Sequence, residues 1–172
     1  PYVMYYNKDM FDAMGVEYPP NDRIMTIDEA SEMWRSLTDA SKRIYGIAAY
    51  PWEGLVWSAG GDFLNEEHTA FPTDPVKVAG LKKAFTFLQD AMYGEKPFMP
   101  SGADLGGQSD TTLFAAQRAA TVIAGRWEVT SVRTYDFNWD VAYVPAFEGE
   151  YQEMNCWSGS TGYAVYNYSK NK

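Results

Sequence analysis

The residues in this sequence that could carry out catalysis are carboxylates and a single histidine. Glu53, Asp62, Glu128 and Asp136 share the chain with many aromatic residues, a combination that glycoside hydrolases use. Such an enzyme holds two carboxyl groups about 5 Å or about 6.5–9.5 Å apart across a sugar. No motif pairs any two of these residues. The same carboxylates would serve a binding protein as hydrogen-bond acceptors for sugar hydroxyls.

The motifs of other common enzyme classes are absent from the sequence. It contains no G-x-S-x-G elbow, no G-x-x-x-x-G-K-[ST] loop and no G-x-G-x-x-G fingerprint. The only histidine, His68, stands beside Glu66 and Glu67 in an expected loop, where adjacent polar residues are usually solvated. Cys156 is the only cysteine, which excludes an intramolecular disulfide and a Cys-based zinc site. We therefore predict no catalytic residue, no metal site and no cofactor.

Trp127 is the residue best placed to recognise a ligand. It follows Ala120 to Ala124, an apolar run long enough for a buried strand, and Gly125, which lets the backbone turn into a second helix. Open α/β folds place ligands at such strand-to-helix turns. An indole offers a flat apolar face and one N–H donor, which suits the C–H face of a sugar ring. The alternative is that Trp127 packs in the core, as most Trp residues do.

The elements that must position Trp127 alternate between strand and helix. Val78, Leu81, Phe85, Leu88 and Met92 recur at helical spacing after an Asp-Pro helix start and give the strongest helix signal. Strands are expected at 1–6, 44–50, 120–124, 138–143 and 162–166, and helices at 8–14, 26–42, 51–59, 75–93, 109–117 and 127–135. This alternation predicts an α/β lobe.

Length and composition narrow the function classes. The 172 residues fit one domain or one lobe of a larger protein. A net charge of −9 opposes binding to nucleic acid, which needs a basic face. No apolar run approaches the length of a membrane span. The 6 Trp, 13 Tyr and 9 Phe residues exceed what a compact core needs, so some are expected to line a sugar cleft or a protein interface.

Four stretches of the sequence match known motifs in order. They are MYYNKDMFDAMGVEYPP with the helix TIDEASEMWRSLTDASK after it, WSAGGDFLNEE, FAAQRAATVIAGRW and GSTGYAVYNYSKNK. Together they resemble the motifs of extracellular solute-binding proteins of the sugar ABC-transporter type (family 1), across nearly the whole chain. Gln117-Arg118 departs from the Gly-Lys that is usual in this family. A left-handed turn there would cost Gln about 1 kcal/mol relative to Gly.

The resemblance implies a fold and a function. The fold would be one lobe, mostly the C-terminal lobe, of the two-lobed periplasmic-binding-protein-like (class II) fold. Residues 1–172 would be a single excised α/β lobe, without the N-terminal lobe and the C-terminal helices of its parent. The parent would be a secreted lipoprotein, extracellular or periplasmic. It would capture a carbohydrate, expected to be an oligosaccharide, between its lobes and present it to the membrane permease of an ABC importer, without acting as an enzyme.

The resemblance also implies which segments face the ligand. The first is Tyr50 to Trp57, where Tyr50 or Trp52 would stack on sugar and Glu53 would accept hydroxyl hydrogen bonds. Trp57 is equally compatible with a core position. The second segment is Arg126, Trp127 and Glu128, and the third is Trp157 to Gly162. The predicted ligand-binding residues are thus Tyr50, Trp52, Glu53, Trp57, Arg126, Trp127, Trp157, Gly159 and Ser160.

Two alternatives to sugar capture remain open on the sequence. One is a carbohydrate-active enzyme fragment or its accessory binding domain. The other is the same fold with a non-sugar ligand such as an amino acid or a polyamine, because aromatics flanked by acids also hold cations. For the lobe alone we expect very weak sugar binding, and self-association through the exposed cleft face.

Overall fold

A mixed β-sheet forms the centre of the computed structural model, which describes residues 1–156 and 162–170. Its strands are β1 (Tyr2–Asn7), β2 (Tyr45–Ile47), β3 (Ala119–Gly125) and β4 (Trp139–Ala142), in the spatial order β2-β3-β1-β4. β2 runs parallel to β3, whereas β1 runs antiparallel to both β3 and β4. The carboxyl ends of β2, β3 and β4 therefore share one edge of the sheet with the amino end of β1.

Helices connect the strands and cover the sheet. They are α1 (Lys8–Met14), α2 (Ile27–Ser36), α3 (Trp52–Ser58), α4 (Pro75–Tyr93), α5 (Gly102–Leu105), α6 (Asp110–Ala115) and α7 (Val129–Val132). Short 3₁₀ turns occupy Ala40–Lys42, Arg126–Glu128 and Gln152–Met154. Among the described residues, no helix is long and apolar enough to cross a membrane.

The predicted helix starts at Thr26, at Asp74-Pro75 and near Ser109 are confirmed, because side-chain caps are local features of the sequence. The helix predicted over 127–135 is instead the 3₁₀ turn Arg126–Glu128 followed by the short α7. The Thr26 hydroxyl accepts the backbone N–H of Glu29 at 3.2 Å, and the Glu29 carboxylate accepts the backbone N–H of Thr26 at 2.9 Å. This reciprocal pair is a capping box. The Asp74 carboxylate caps α4, whose first residue is Pro75, and the Ser109 hydroxyl caps α6.

Several predicted element ends are wrong. Helix α2 stops at Ser36 instead of near residue 42, because the Asp39 side chain accepts the backbone N–H groups of Ser41 and Lys42 and starts a separate 3₁₀ turn. Strand β2 is shorter than predicted, since the chain leaves the sheet after Ile47. Residues 162–166 form no strand: they are exposed and pair with no described strand, and a strand needs a neighbour's hydrogen bonds.

The helix predicted over 75–93 is confirmed as α4, although not all of its periodic apolar residues are buried. Leu88 is buried as expected, but the Phe85 side chain is 48% exposed. The buried positions of α4 include Gly80 and Ala84 instead. A Cβ on Gly80 would overlap the backbone of Gly61, so the absence of a side chain lets α4 lie directly against the loop after α3. Leu81 and Met92 pack against the core beside Leu88, so the apolar periodicity is largely kept and Phe85 departs from it.

The core lies on both faces of the sheet, so the protein has the three-layer arrangement of an α/β fold. Along β1, Met4 and Tyr6 enter one cluster of buried side chains and Tyr5 enters the other, and neighbouring residues of β3 are divided between the same two clusters. The larger cluster includes Met4, Phe11, Trp34, Leu55 and Ile123. The smaller cluster includes Tyr5, Leu113, Phe114, Val122 and Val132. The predicted α/β class is confirmed.

Gln117 follows α6 in the left-handed conformation, with a φ of 55°. The substitution Gln117→Gly is expected to raise the free energy of unfolding by about 0.5–1 kcal/mol, because glycine adopts this conformation without strain but has more freedom when unfolded. Urea denaturation of the two proteins measures this difference. Ala116→Gly is the matched control, because Ala116 has a φ of −81° and gains nothing from glycine. A Gln117→Gly protein destabilised as much as the control would contradict the prediction.

Candidate ligand-binding site

Trp127 lies where β3 ends at the shared edge of the sheet. β3 finishes at Gly125, and the 3₁₀ turn Arg126–Glu128 leads directly into α7. This confirms the predicted strand-to-helix turn. The Trp127 side chain is 60% exposed, which excludes the alternative that it packs in the core. An indole held at the carboxyl edge of a sheet is available to a flat ligand.

Two residues support the Trp127 indole from below and from one side. A Cβ on Gly125 would overlap the six-membered ring of Trp127, so the indole lies directly against the glycine backbone. The Tyr2 ring meets the indole edge to face, with ring centroids 5.3 Å apart and planes at 82°. The Tyr5 hydroxyl donates a hydrogen bond to the Gly125 carbonyl oxygen at 3.2 Å. Trp127 is 60% exposed with these contacts in place.

The sequence did not single out Tyr2 or Gly125 as parts of the ligand site. Tyr2 joins the site because β1 pairs antiparallel with β3 in a register that places Tyr2 opposite Gly125. Strand order and register cannot be read from local sequence. Gly125 was predicted only to permit a sharp turn. The close spacing of Gly125 and Trp127 was the available signal for a packing role.

Tyr50 does not present its ring to a ligand. Its side chain is 6% exposed, and its hydroxyl donates a hydrogen bond to the carbonyl oxygen of Pro145. Burial raises the pKa of the Tyr50 hydroxyl, so it remains a hydrogen-bond donor at neutral pH. The ring packs edge to face against Trp34 and Phe87 in the core. The expectation that Tyr50 stacks on sugar is therefore corrected, because α4 and the strand-to-loop turn at Pro145 enclose it.

Trp52 and Trp57 belong to a second aromatic cluster. The Trp52 ring meets Phe63 edge to face with centroids 4.7 Å apart, and Trp57 meets the same ring at 6.3 Å. Trp52 is 45% exposed, whereas Trp57 is half-buried. Trp52 and Phe85 also line an apolar groove of about 580 Å³ between the end of β2 and α4. Among the described residues, the Trp52 ring therefore contacts Phe85 of α4, whereas the Trp127 ring contacts Tyr2 of β1.

Glu53 lies at the first turn of α3, close to the supporting ring of Tyr2. Burial raises the pKa of the Tyr2 hydroxyl, and the carboxylates of Glu53 and Asp110 raise it further. The backbone N–H of Tyr2 donates to the Cys156 sulfur at 3.0 Å. The start of α3, β1 and the loop carrying Cys156 therefore meet beside Trp127. Glu53 is half-buried there and can accept hydroxyl hydrogen bonds.

Arg126 and Glu128 flank the indole on the same turn. Arg126 is exposed, and Glu128 is half-buried. Burial raises the pKa of the Tyr5 hydroxyl, and the Glu128 carboxylate adds to the effect. The predicted residues Trp157, Gly159 and Ser160 lie outside the described residues. Of the predicted set, the structure therefore brings Glu53, Arg126 and Trp127 to the same edge of the sheet.

The described residues offer an aromatic platform with polar groups around it. They contain no group of three His, Cys, Asp or Glu side chains that could hold a metal ion. Asp62 lies in the loop before α4, and its carboxylate oxygen is 3.9 Å from the ammonium nitrogen of Lys77 in α4. A flat apolar face with carboxylate and guanidinium groups at its rim favours binding of a polyhydroxylated ring.

Comparisons with known proteins bear on the family and the fold of this chain. The sequence profile of the family described as "Bacterial extracellular solute-binding protein" matches residues 1–172. The chain is 30% identical to the ABC substrate-binding protein Lmo0181 of Listeria monocytogenes, solved in complex with cycloalternan. That match has a TM-score of 0.74 and covers 86% of this chain and 38% of Lmo0181. A search of curated proteins finds no match.

Other solved structures show the same fold at lower identity. An ABC transporter solute-binding protein of Thermotoga lettingae, bound with alpha-D-tagatose, is 25% identical with a TM-score of 0.59, and the match covers 84% of this chain and 38% of that one. UspC of M. tuberculosis is 24% identical with a TM-score of 0.68, and the match covers 85% of this chain and 42% of that one. The chain thus spans about two fifths of the length of these solved proteins.

Proposed function

Because this chain belongs to the bacterial extracellular solute-binding proteins of ABC transporters, we propose that it is one lobe of a sugar-capturing protein. The ligand is an oligosaccharide that stacks on Trp127 in a cleft between this lobe and a second one. Glu53 and Arg126 hydrogen-bond its hydroxyl groups. The lobes close around the ligand, and the closed form delivers it to the membrane permease. The whole protein is a secreted lipoprotein outside the cytoplasmic membrane.

The observation that carries this proposal is the exposure of Trp127 at the carboxyl edge of β3. Its indole is 60% exposed although an aromatic ring of this size gains by burial. The indole lies against the Gly125 backbone and meets the Tyr2 ring edge to face, and it remains exposed despite both contacts. Lmo0181 was solved with cycloalternan and the Thermotoga lettingae protein with alpha-D-tagatose, which supports a carbohydrate ligand for this chain as well.

A carbohydrate-active enzyme gains no support from the site. Hydrolysis needs two carboxyl groups facing each other across the sugar. The Glu53 carboxylate raises the pKa of the Tyr2 hydroxyl, the Glu128 carboxylate raises that of the Tyr5 hydroxyl, and Asp62 pairs with Lys77 at 3.9 Å, so each carboxylate has a different neighbour. We therefore propose that the protein binds a sugar without reacting with it. The binding experiment below also tests for a non-sugar ligand.

The experiment measures sugar binding by the two-lobed protein with and without the Trp127 ring. Isothermal titration with linear and cyclic gluco-oligosaccharides is expected to find one saturable class of ligand. Trp127→Ala should weaken that affinity about 30-fold, because a central stacking aromatic contributes about 2 kcal/mol or more to binding.

Phe71→Ala is the matched control, since Phe71 is 81% exposed and lies in the loop before α4. It should leave the affinity unchanged. Binding of polyamines or amino acids in place of sugars would keep the fold and reject the carbohydrate ligand. Equal losses in both variants would reject Trp127 as the stacking residue.

A further inference from the structure

We infer that Gly125 and Tyr2 act as positioning residues, which fix the orientation of the Trp127 indole before any ligand arrives. This inference rests on the proposed function, because the indole so positioned is the proposed stacking surface. Neither residue needs to touch the ligand itself. We call the pair the indole seat.

The backbone of Gly125 shows that glycine is needed for space and not for conformation. Its φ of −89° and ψ of 178° are ordinary extended values that any residue adopts. The nearest atoms that an added Cβ would meet all belong to the six-membered ring of Trp127. A side chain at position 125 would therefore leave the strand intact and push the indole away from it.

Tyr2 forms the second part of the indole seat, because its ring contacts the Trp127 indole. Its ring stands edge to face against the indole at 82°, a geometry that favours aromatic pairs. The antiparallel ladder between β1 and β3 holds Tyr2 directly opposite Gly125. The Tyr5 hydroxyl, donating to the Gly125 carbonyl at 3.2 Å, ties the two strands together beneath the indole.

A seat built from two paired strands is rigid, and a rigid contact surface binds with a smaller loss of side-chain freedom. The indole is therefore already in place in the ligand-free lobe. Removing the seat should weaken sugar binding about 10-fold, through a displaced and mobile indole, without unfolding the protein.

The test uses Gly125→Ala in the two-lobed protein, with Gly102→Ala as the control because a Cβ on Gly102 meets no atom within 4 Å. The first readout is the indole N–H resonance of Trp127 in ligand-free protein, assigned with Trp127→Phe. The second readout is oligosaccharide affinity by titration, and the third is the urea midpoint. We expect the resonance to move and affinity to fall about 10-fold in Gly125→Ala only, with similar midpoints for both variants.

A second pair of variants keeps the inference testable if Gly125→Ala folds poorly. Tyr2→Leu removes the ring that meets the indole and should shift the Trp127 resonance and weaken binding, whereas the control Phe71→Ala should do neither. An unmoved resonance in both Gly125→Ala and Tyr2→Leu would overturn the seat. A moved resonance with unchanged affinity would overturn its positioning role. If the wild-type protein binds no sugar, the proposed function fails, while the ligand-free resonance still decides whether the seat exists.

Discussion

The isolated chain is expected to bind oligosaccharide at least about 1,000-fold more weakly than the two-lobed protein, a difference of about 4 kcal/mol. The reason is geometric. The Trp127 platform faces outward from one edge of the sheet, so a sugar stacked on it keeps its opposite face in water. The isolated chain lacks the contacts that a second lobe would make with the sugar, and it lacks the exclusion of water that closure of the two lobes would bring.

Titration of the same oligosaccharide into the isolated chain and into the two-lobed protein measures this difference. Trp127→Ala in the isolated chain is the control, because it separates residual stacking on the platform from unspecific binding. Micromolar affinity of the isolated chain would contradict the closure mechanism, since one lobe would then suffice for capture.

Replacement of Trp34 by alanine is expected to lower the free energy of unfolding by about 3–5 kcal/mol. Trp34 is a fully buried aromatic side chain of α2. It stacks on Phe98 with ring centroids 5.6 Å apart, and its indole N–H donates to the Thr121 hydroxyl at 3.0 Å. Removing it leaves a large cavity and an unsatisfied acceptor between α2 and the sheet.

Urea denaturation of the Trp34 variants checks this value. Trp34→Phe is the informative comparison, since it keeps much of the stacking and removes the donor to Thr121. It should lose about 1–3 kcal/mol. A loss below about 1.5 kcal/mol for Trp34→Ala would mean that the surrounding helices collapse into the space, contrary to the close packing of interiors.

Local sequence signals predicted the parts of the fold that depend on near neighbours. The capping residues Thr26 and Asp74 marked two helix starts correctly, and of the two candidate caps Ser109 and Asp110 the structure uses Ser109, because each cap bonds to backbone groups two or three residues away. The apolar run before Gly125 correctly predicted β3. The turn that carries Trp127 followed from the same short stretch.

The parts that depend on distant partners could not be predicted. Tyr50 and Trp52 are two residues apart, yet one is enclosed in the core and the other is exposed beside Phe63 and Phe85. Their orientation is decided by how α4 packs, which the local pattern does not contain. Tyr2 entered the site through the register of β1 on β3. Tyr2 and Trp127 are far apart in the sequence, so no local pattern indicates that their rings meet.

The hydrogen bonds around Thr121 affect local unfolding of this protein. The Thr121 hydroxyl accepts from the Trp34 indole and donates to the Gly46 carbonyl at 2.9 Å, so one side chain in β3 joins α2 to β2. A fluctuation that frees α2 or β2 must break that element's hydrogen bond to Thr121, and one that frees β3 must break both. The amide hydrogens of this unit should therefore be the slowest to exchange with solvent. The turn Arg126–Glu128 lies beyond the end of β3, so exchange of its amide hydrogens reports on that turn separately from this unit.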